Sequence, residues 1–454
     1  MDYKKWYQTH EKEILDDFFT YLRFPSISAQ KNHEKDVLEC CSWVEKTLET
    51  MGFKVERWEG SGYPVLFGEM IFNKAAPTIL FYGHYDVQPP EPFELWESKP
   101  FEPEIRNERI YARGAEDNKG QNFYTLSAIR AFLEANPNPN LNFKIVIEGE
   151  EEMGSTTITE VLPQKTDKLQ SDHLLVVDMG MGSFERPSLG IGARGIMTME
   201  VKLSAMDVDG HSGALGGIVY NPIRALTEVL GSIINEKGNI KIPKFYDHMS
   251  QLSEDEKNKL DFSFDGEMYK RELGVKSFHE EEGFNPSEAN FVRPTFEING
   301  IWGGYTGGGF KTVIPKDAFA KISCRLVPNQ RAPEIYNLVC DYINDHLPDG
   351  MTAEYKYHGG GEAAWASPVS KTAKVMKRAY EKTFGSCSFV YSGGSVPITA
   401  DLKKYSGADF VMPGTAMECD NIHAPNESFG LKQFYMGYLM ITECLELFAE
   451  NTES

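Results

Sequence analysis

The sequence predicts an α/β fold, with a mostly parallel sheet, interrupted by a smaller α+β module. Three observations carry that reading. Short apolar runs at 77–83, 143–149 and 173–178 alternate with helix-period stretches, as strand–helix–strand units do. The texture changes near Gly195 and reverts after about residue 364. The length, 454 residues, suits two domains or more.

Taken in order, two amphipathic helices open the chain, at 8–23 and 34–52. In the second, Val37, Leu38, Cys41, Val44 and Leu48 recur at helical spacing, and Gly52 supplies a stop. The strand 77–83, the helix 119–135 and the strands 143–149 and 173–178 build the α/β layer. Within the interruption, a strand at 196–205 precedes a helix at 222–235 entered through Pro222. An acidic, polar stretch at 246–282 reads as helical. Strands at 294–301, 318–327 and 352–359 and a helix at 332–347 complete the module. Helix 369–384, strands 388–392 and 409–413, and helix 430–449 restore the α/β pattern. The expected borders are 1–194 and 364–454 for the interrupted domain and 195–363 for the insert.

Composition excludes several classes. Hydrophobic residues are 41% and charged residues 25%, the balance of a globular protein and not of a disordered or collagen-like chain. With 46 basic and 67 acidic residues the net charge is −21, which opposes nucleic acid and anionic membranes as partners. The first 19 residues hold no apolar signal segment, and no apolar run is long enough to cross a bilayer. Seven cysteines without a CxxC pair argue against a disulfide framework or a thiolate metal site. They point to buried thiols in a reducing cytoplasm.

Chemistry-bearing residues gather at expected strand ends. His84 and Asp86 follow one strand at i and i+2, on one side of its carboxyl edge, where an Asp can fix the tautomer of a metal-binding imidazole. Asp117 lies between a strand-like segment and a helix start. Glu150, Glu151 and Glu152 follow the strand at 143–149, Asp178 ends the next, and His423 lies in a late loop. Each alone reads more readily as a cap, a solvated turn or a surface pair than as a site residue. Together they would concentrate negative charge at one sheet edge, which is costly unless cations occupy it. Imidazole and carboxylate donors without thiolate suit zinc, manganese or cobalt.

The motifs GHYDVQP, ARGAEDNKG, EGEEEMGS, VVDMGMG and NIHAPNES, in this order, resemble those of the M20 family of metallopeptidases and deacylases. The resemblance spans essentially the whole chain. It implies a two-metal α/β catalytic domain carrying an inserted lid and dimerisation domain, with two divalent ions per subunit, zinc first. It implies that Asp117 bridges the ions, that His84 and Asp178 complete one set, and that Glu152 and His423 complete the other. Asp86 would orient His84, and Glu151 would be the general base, leaving Glu150 outside the set. It further implies a cis peptide between Asp117 and Asn118.

In the insert, the stretch from Asp209 to Gly217 resembles the HSG…GG segment of the dipeptidase branch, where the histidine, here His211, acts in the opposite subunit of a homodimer. Thr306 in the glycine-rich 303–312 loop, Arg325, His358 and Ser395 fall at substrate-side positions of the same branch. Arg325 would be a fork for a substrate carboxylate. The implied activity is hydrolysis of dipeptides or short peptides, with amide deacylation of N-acylated amino acids as the alternative. The GxGxxG match at 190–195 precedes a β-rich run and not a helix, so it lacks the context for a pyrophosphate.

Overall fold

The apolar run near residue 80 forms the strand Thr78–His84, buried along nearly all its length in the middle of a six-stranded sheet. Among residues 1–394 and 396–450, which the computed structural model describes (the side chain of Glu272 excepted), this sheet runs Lys54–Trp58, Val65–Met70, Asn142–Glu148, Thr78–His84, His173–Val176, Asp409–Val411. Thr78–His84 pairs in parallel with both Asn142–Glu148 and His173–Val176, and Asp409–Val411 extends the parallel set. The first two strands add an antiparallel edge that the apolar pattern did not predict. Parallel strands buried on both faces need not alternate in polarity, and Asn142–Glu148 is buried at all seven positions.

Helices Lys119–Ala135 and Leu431–Glu450 pack together beside the sheet. The opening helix begins earlier than expected, at Tyr3, because the Asp2 side chain accepts from the Lys4 and Lys5 amides. A second sheet of four antiparallel strands runs Thr295–Gly303, Asp317–Leu326, Gly195–Ser204, Thr352–Gly361. Its buried face packs against helices Pro222–Ser232 and Ala332–Asp345. Buried apolar residues fall into two clusters. One runs from Trp6 to Ala193 and resumes at Ala364, joined by Val292, and the other lies between Met197 and Ile343.

One expected element is corrected. The acidic stretch 246–282 is not a continuous helix; it holds only Glu254–Lys257 and Gly266–Glu272. Its apolar residues Leu252, Leu260 and Phe262 pack against the larger core from irregular backbone, and Asp261 N donates to the Phe389 carbonyl. Without an apolar stripe of helical period, each short helix starts at its own cap, Ser253 or Asp265. The helix Ile398–Ser406 was not expected either.

The turn into Lys119–Ala135 is tight because Gly120 has no side chain. A Cβ there would meet the Ala115 carbonyl oxygen at 2.0 Å and the Phe429 ring at 2.7 Å. Gly→Ala inside a helix ordinarily stabilises, but here overpacking reverses the sign. Gly120→Ala should therefore lose about 1–3 kcal/mol, read as a lower denaturant midpoint at unchanged slope. A gain in stability would show that the loop relaxes freely.

Candidate metal centre

Strand Thr78–His84 delivers His84 to the sheet's carboxyl edge, where its side chain is fully buried. Its Nδ1 lies 3.2 Å from Asp86 Oδ1, and its Nε2 lies 3.1 Å from Asp117 Oδ1 and 3.8 Å from Asp178 Oδ1. The other Asp117 oxygen, Oδ2, is 2.8 Å from His423 Nε2, which lies 3.3 Å from Glu152 Oε2. Two three-residue groups result, His84–Asp117–Asp178 and Asp117–Glu152–His423, each with donor atoms within 4.8 Å of one another. Asp117 belongs to both. The peptide after it, to Asn118, is cis.

Neighbouring groups fix these side chains. Asp86, buried, also accepts from Ser28 Oγ at 2.6 Å and from the backbone amides of Glu151 and Glu152 at 3.2 Å each. It thus ties the imidazole of one strand to the turn after another. Asn118 accepts from the His84 amide and donates to the Val177 carbonyl and to Asp178 Oδ1. Gln88 Nε2 donates to Glu152 Oε2 at 2.8 Å. Glu150 turns away, its carboxylate accepting from the Thr157 amide at 2.9 Å, so the three consecutive acids divide between site and backbone.

Glu427 escaped the sequence reading. Fully buried, its carboxylate accepts from Arg113 Nη1 at 2.7 Å and from the amides of Gly114, Glu116 and Asp117 at 2.9, 3.0 and 3.1 Å. It lies four residues after His423, so one carboxylate clasps the Asp117 loop to the His423 loop. The available signal was an acid inside the NIHAPNES motif.

The protein charges alone leave the cluster frustrated. Burial first, then neighbouring carboxylates, raise Glu151 to about 9, and Glu152 and Asp178 also rise above their ordinary values. Burial opposes the charge on Asp117 too, but the two histidines outweigh it and hold that carboxyl well below the usual range. His423 is raised to about 10 by its hydrogen bonds to Asp117 and Glu152. Oxygen and imidazole donors crowded around a shared carboxylate fit a pair of hard or borderline divalent cations, whose charge would relieve the repulsion.

The substrate-side candidates lie on the second sheet and its loops. His211 is exposed, and its Nδ1 accepts from the Gly213 amide at 3.0 Å, so within its own chain it caps the turn at Ser212. Thr306 is exposed in its loop, and Arg325 is half-buried near the end of Asp317–Leu326. His358 stands at a bulge between Tyr357 and Gly359, with Nε2 3.9 Å from Glu200 Oε2. Ser395 lies outside the described residues.

A parallel sheet presenting two linked carboxylate–imidazole groups at its carboxyl edge is the architecture of a dinuclear metal-dependent hydrolase. More particularly, residues 80–447 match peptidase family M20/M25/M40, and the chain belongs to that family. It is 28% identical over 467 residues to a Cys-Gly metallodipeptidase of Schizosaccharomyces pombe, with 96% of each covered. It is 29% identical over 452 residues to human Beta-Ala-His dipeptidase, covering 94% of this chain and 88% of that protein. An M20 family metallo-carboxypeptidase from Sulfolobus solfataricus superposes with a TM-score of 0.86 at 32% identity, over 96% of this chain and 99% of the other.

Protons must leave before cations enter. Without cations, His423 with a pKa near 10 is protonated at pH 7, and an imidazole ligates only when neutral. Metal affinity should rise with pH between 6 and 9, by about tenfold per unit for each proton displaced. Competition with a chelator of known affinity checks this. An affinity flat across that range would mean that no such proton is held.

Proposed function

We propose that this protein hydrolyses the peptide bond of dipeptides or short peptides. The observation that carries the reading is the Asp117 carboxylate, whose two oxygens face His84 and His423 at 3.1 and 2.8 Å. The dipeptidase names of its relatives favour peptides over N-acyl amino acids as substrates. Two divalent cations, zinc by preference with manganese or cobalt as alternatives, would supply Lewis acidity at the scissile carbonyl and a more acidic water. Asp117 would serve both ions, His84 and Asp178 one, Glu152 and His423 the other.

The remaining roles belong to the chain's own groups. Glu151, close enough to Asp117 and Asp178 for their charges to raise its pKa, takes the proton of the attacking water and delivers it to the leaving amine. Asp86 holds His84 Nδ1, which leaves Nε2 turned to the site. His211 of the partner subunit donates to the developing oxyanion, since in its own chain it is exposed and its Nδ1 is committed to a turn. Arg325 binds the substrate carboxylate, and Thr306 and His358 line its path; Ser395 is assigned to the substrate side by the motif resemblance alone.

This places a lid and dimerisation role on residues 195–363. The edge strand Thr295–Gly303 supports a homodimer, because Ile298, Ile301 and Trp302 on it are 45, 45 and 41% exposed. An open edge with apolar side chains is a surface that a partner covers. Among the described residues no helix is long and apolar enough to cross a membrane. All seven cysteines are free, which supports a cytoplasmic site of action.

Glutamine at three successive positions separates the roles. Glu151→Gln should keep both metals yet lose at least about 10²–10⁴-fold in kcat, the usual worth of general acid–base catalysis. Glu152→Gln should lower metal content, and Glu150→Gln should do neither, since an amide oxygen still accepts from Thr157. Metal analysis alongside kcat decides, and an inactive but metal-replete Glu150→Gln would reassign the base.

Mixing His211→Ala with Glu151→Gln under subunit exchange tests the assembly. One intact site per mixed dimer should restore activity to at most about half the wild-type rate, for independent sites. Proven exchange without recovery would place His211 in its own chain's site or outside catalysis.

A further inference from the structure

Away from the metal centre, helices Tyr3–Leu22, Glu34–Thr50 and Lys119–Ala135 enclose a groove of about 780 Å³. None of its lining residues belongs to the candidate metal centre. Its apolar wall is made by Ile14, Trp43, Phe123 and Leu126, with the Trp43 and Phe123 rings 6.2 Å apart.

The charges around the groove divide into committed and uncommitted groups. Arg130 bridges Glu13 at 2.9 Å and Glu134 at 3.1 Å, so those three satisfy one another. Two charges remain: Asp17 on the first helix and Lys46 on the second. Among the described residues neither side chain makes a hydrogen bond or an ion pair, and no ion pair joins them across the groove. Partial burial and the neighbouring Glu13 raise the Asp17 pKa, and the charge of Arg130, committed to Glu13 and Glu134, offsets only part of that rise.

One carboxylate and one ammonium on different helices, with an aromatic and aliphatic wall, complement a small molecule carrying both charges and an apolar side chain. A purely cationic ligand would leave Lys46 unmatched and an anionic one would leave Asp17 unmatched. We propose that this groove is a binding site for an apolar α-amino acid in its zwitterionic form, the ammonium on Asp17, the carboxylate on Lys46 and the side chain against Trp43 and Phe123. The site is independent of the catalytic reading, because free amino acids bear no peptide bond.

Calorimetric titration of the metal-loaded protein with L-leucine, L-leucinamide and N-acetyl-L-leucine tests it. Leucine should bind, and the two analogues, each lacking one charge, should bind at least about tenfold more weakly, as loss of a charged hydrogen bond implies. Asp17→Asn and Lys46→Gln should each weaken leucine by a similar factor while kcat/KM measured without leucine stays within about twofold. Leucine held only as a product in the catalytic site would bind both variants unchanged, and that result overturns the proposal. So would equal affinity for all three ligands, or no leucine binding at all.

Discussion

Asp117 must present one oxygen to His84 and the other to His423, and these histidines come from segments more than 300 residues apart. That geometric demand explains much of the surrounding structure. The Asp117 loop is held from behind by Glu427, which accepts three of its amides and the Arg113 guanidinium. It is held from the side by Asn118, which bonds to the strands bearing His84 and Asp178. It is held from below by Gly120, where the helix starts too close to the loop for a side chain. A carboxylate shared between two histidines tolerates little displacement, so neutral and charged donors converge on the backbone around it.

These supports also bear on charge. The fully buried Asp86 carboxylate accepts from two amides and a hydroxyl, lies 3.2 Å from the His84 imidazole and feels the charge of buried Lys119, which together keep it satisfied. For Glu151, Glu152 and Asp178, burial and mutual repulsion outweigh the donors that reach them, and their values stay raised. Cations entering between them would reverse the sign, favouring the ionised form of Glu151 that a base requires. Metal occupancy and protonation of Glu151 are therefore linked through one local field.

Much of this was legible in the sequence because strand ends are legible. An apolar run followed by His84, by Glu151 and Glu152, or by Asp178 places each acid or imidazole at a carboxyl edge, and parallel pairing brings those edges together. Glu427 was not legible by that logic. It sits in an irregular loop, and its partners are backbone amides, which carry no residue-type signal. Ser28 and Gln88 escaped for the same reason: each is a single neutral donor aimed at a carboxylate from a distant segment. The stretch 246–282 misled because charge-rich composition resembles a solvated helix. Three scattered apolar residues, Leu252, Leu260 and Phe262, instead fasten it to the larger core.

His211 shows where reading a motif and reading a structure diverge. The motif assigns an imidazole that reaches a reacting group, whereas the single chain shows a turn cap. The two are compatible only if different nitrogens do the two jobs. Nδ1, accepting from the Gly213 amide, must be the unprotonated nitrogen of a neutral ring, so Nε2 carries the hydrogen. The cap therefore selects the tautomer whose outward nitrogen is a donor, the form needed to stabilise a developing oxyanion. It also fixes the ring's direction from the exposed module, which is the task Asp86 performs for His84 inside the catalytic sheet. On the proposed reading, this local bond would orient the ring for a site on a second chain.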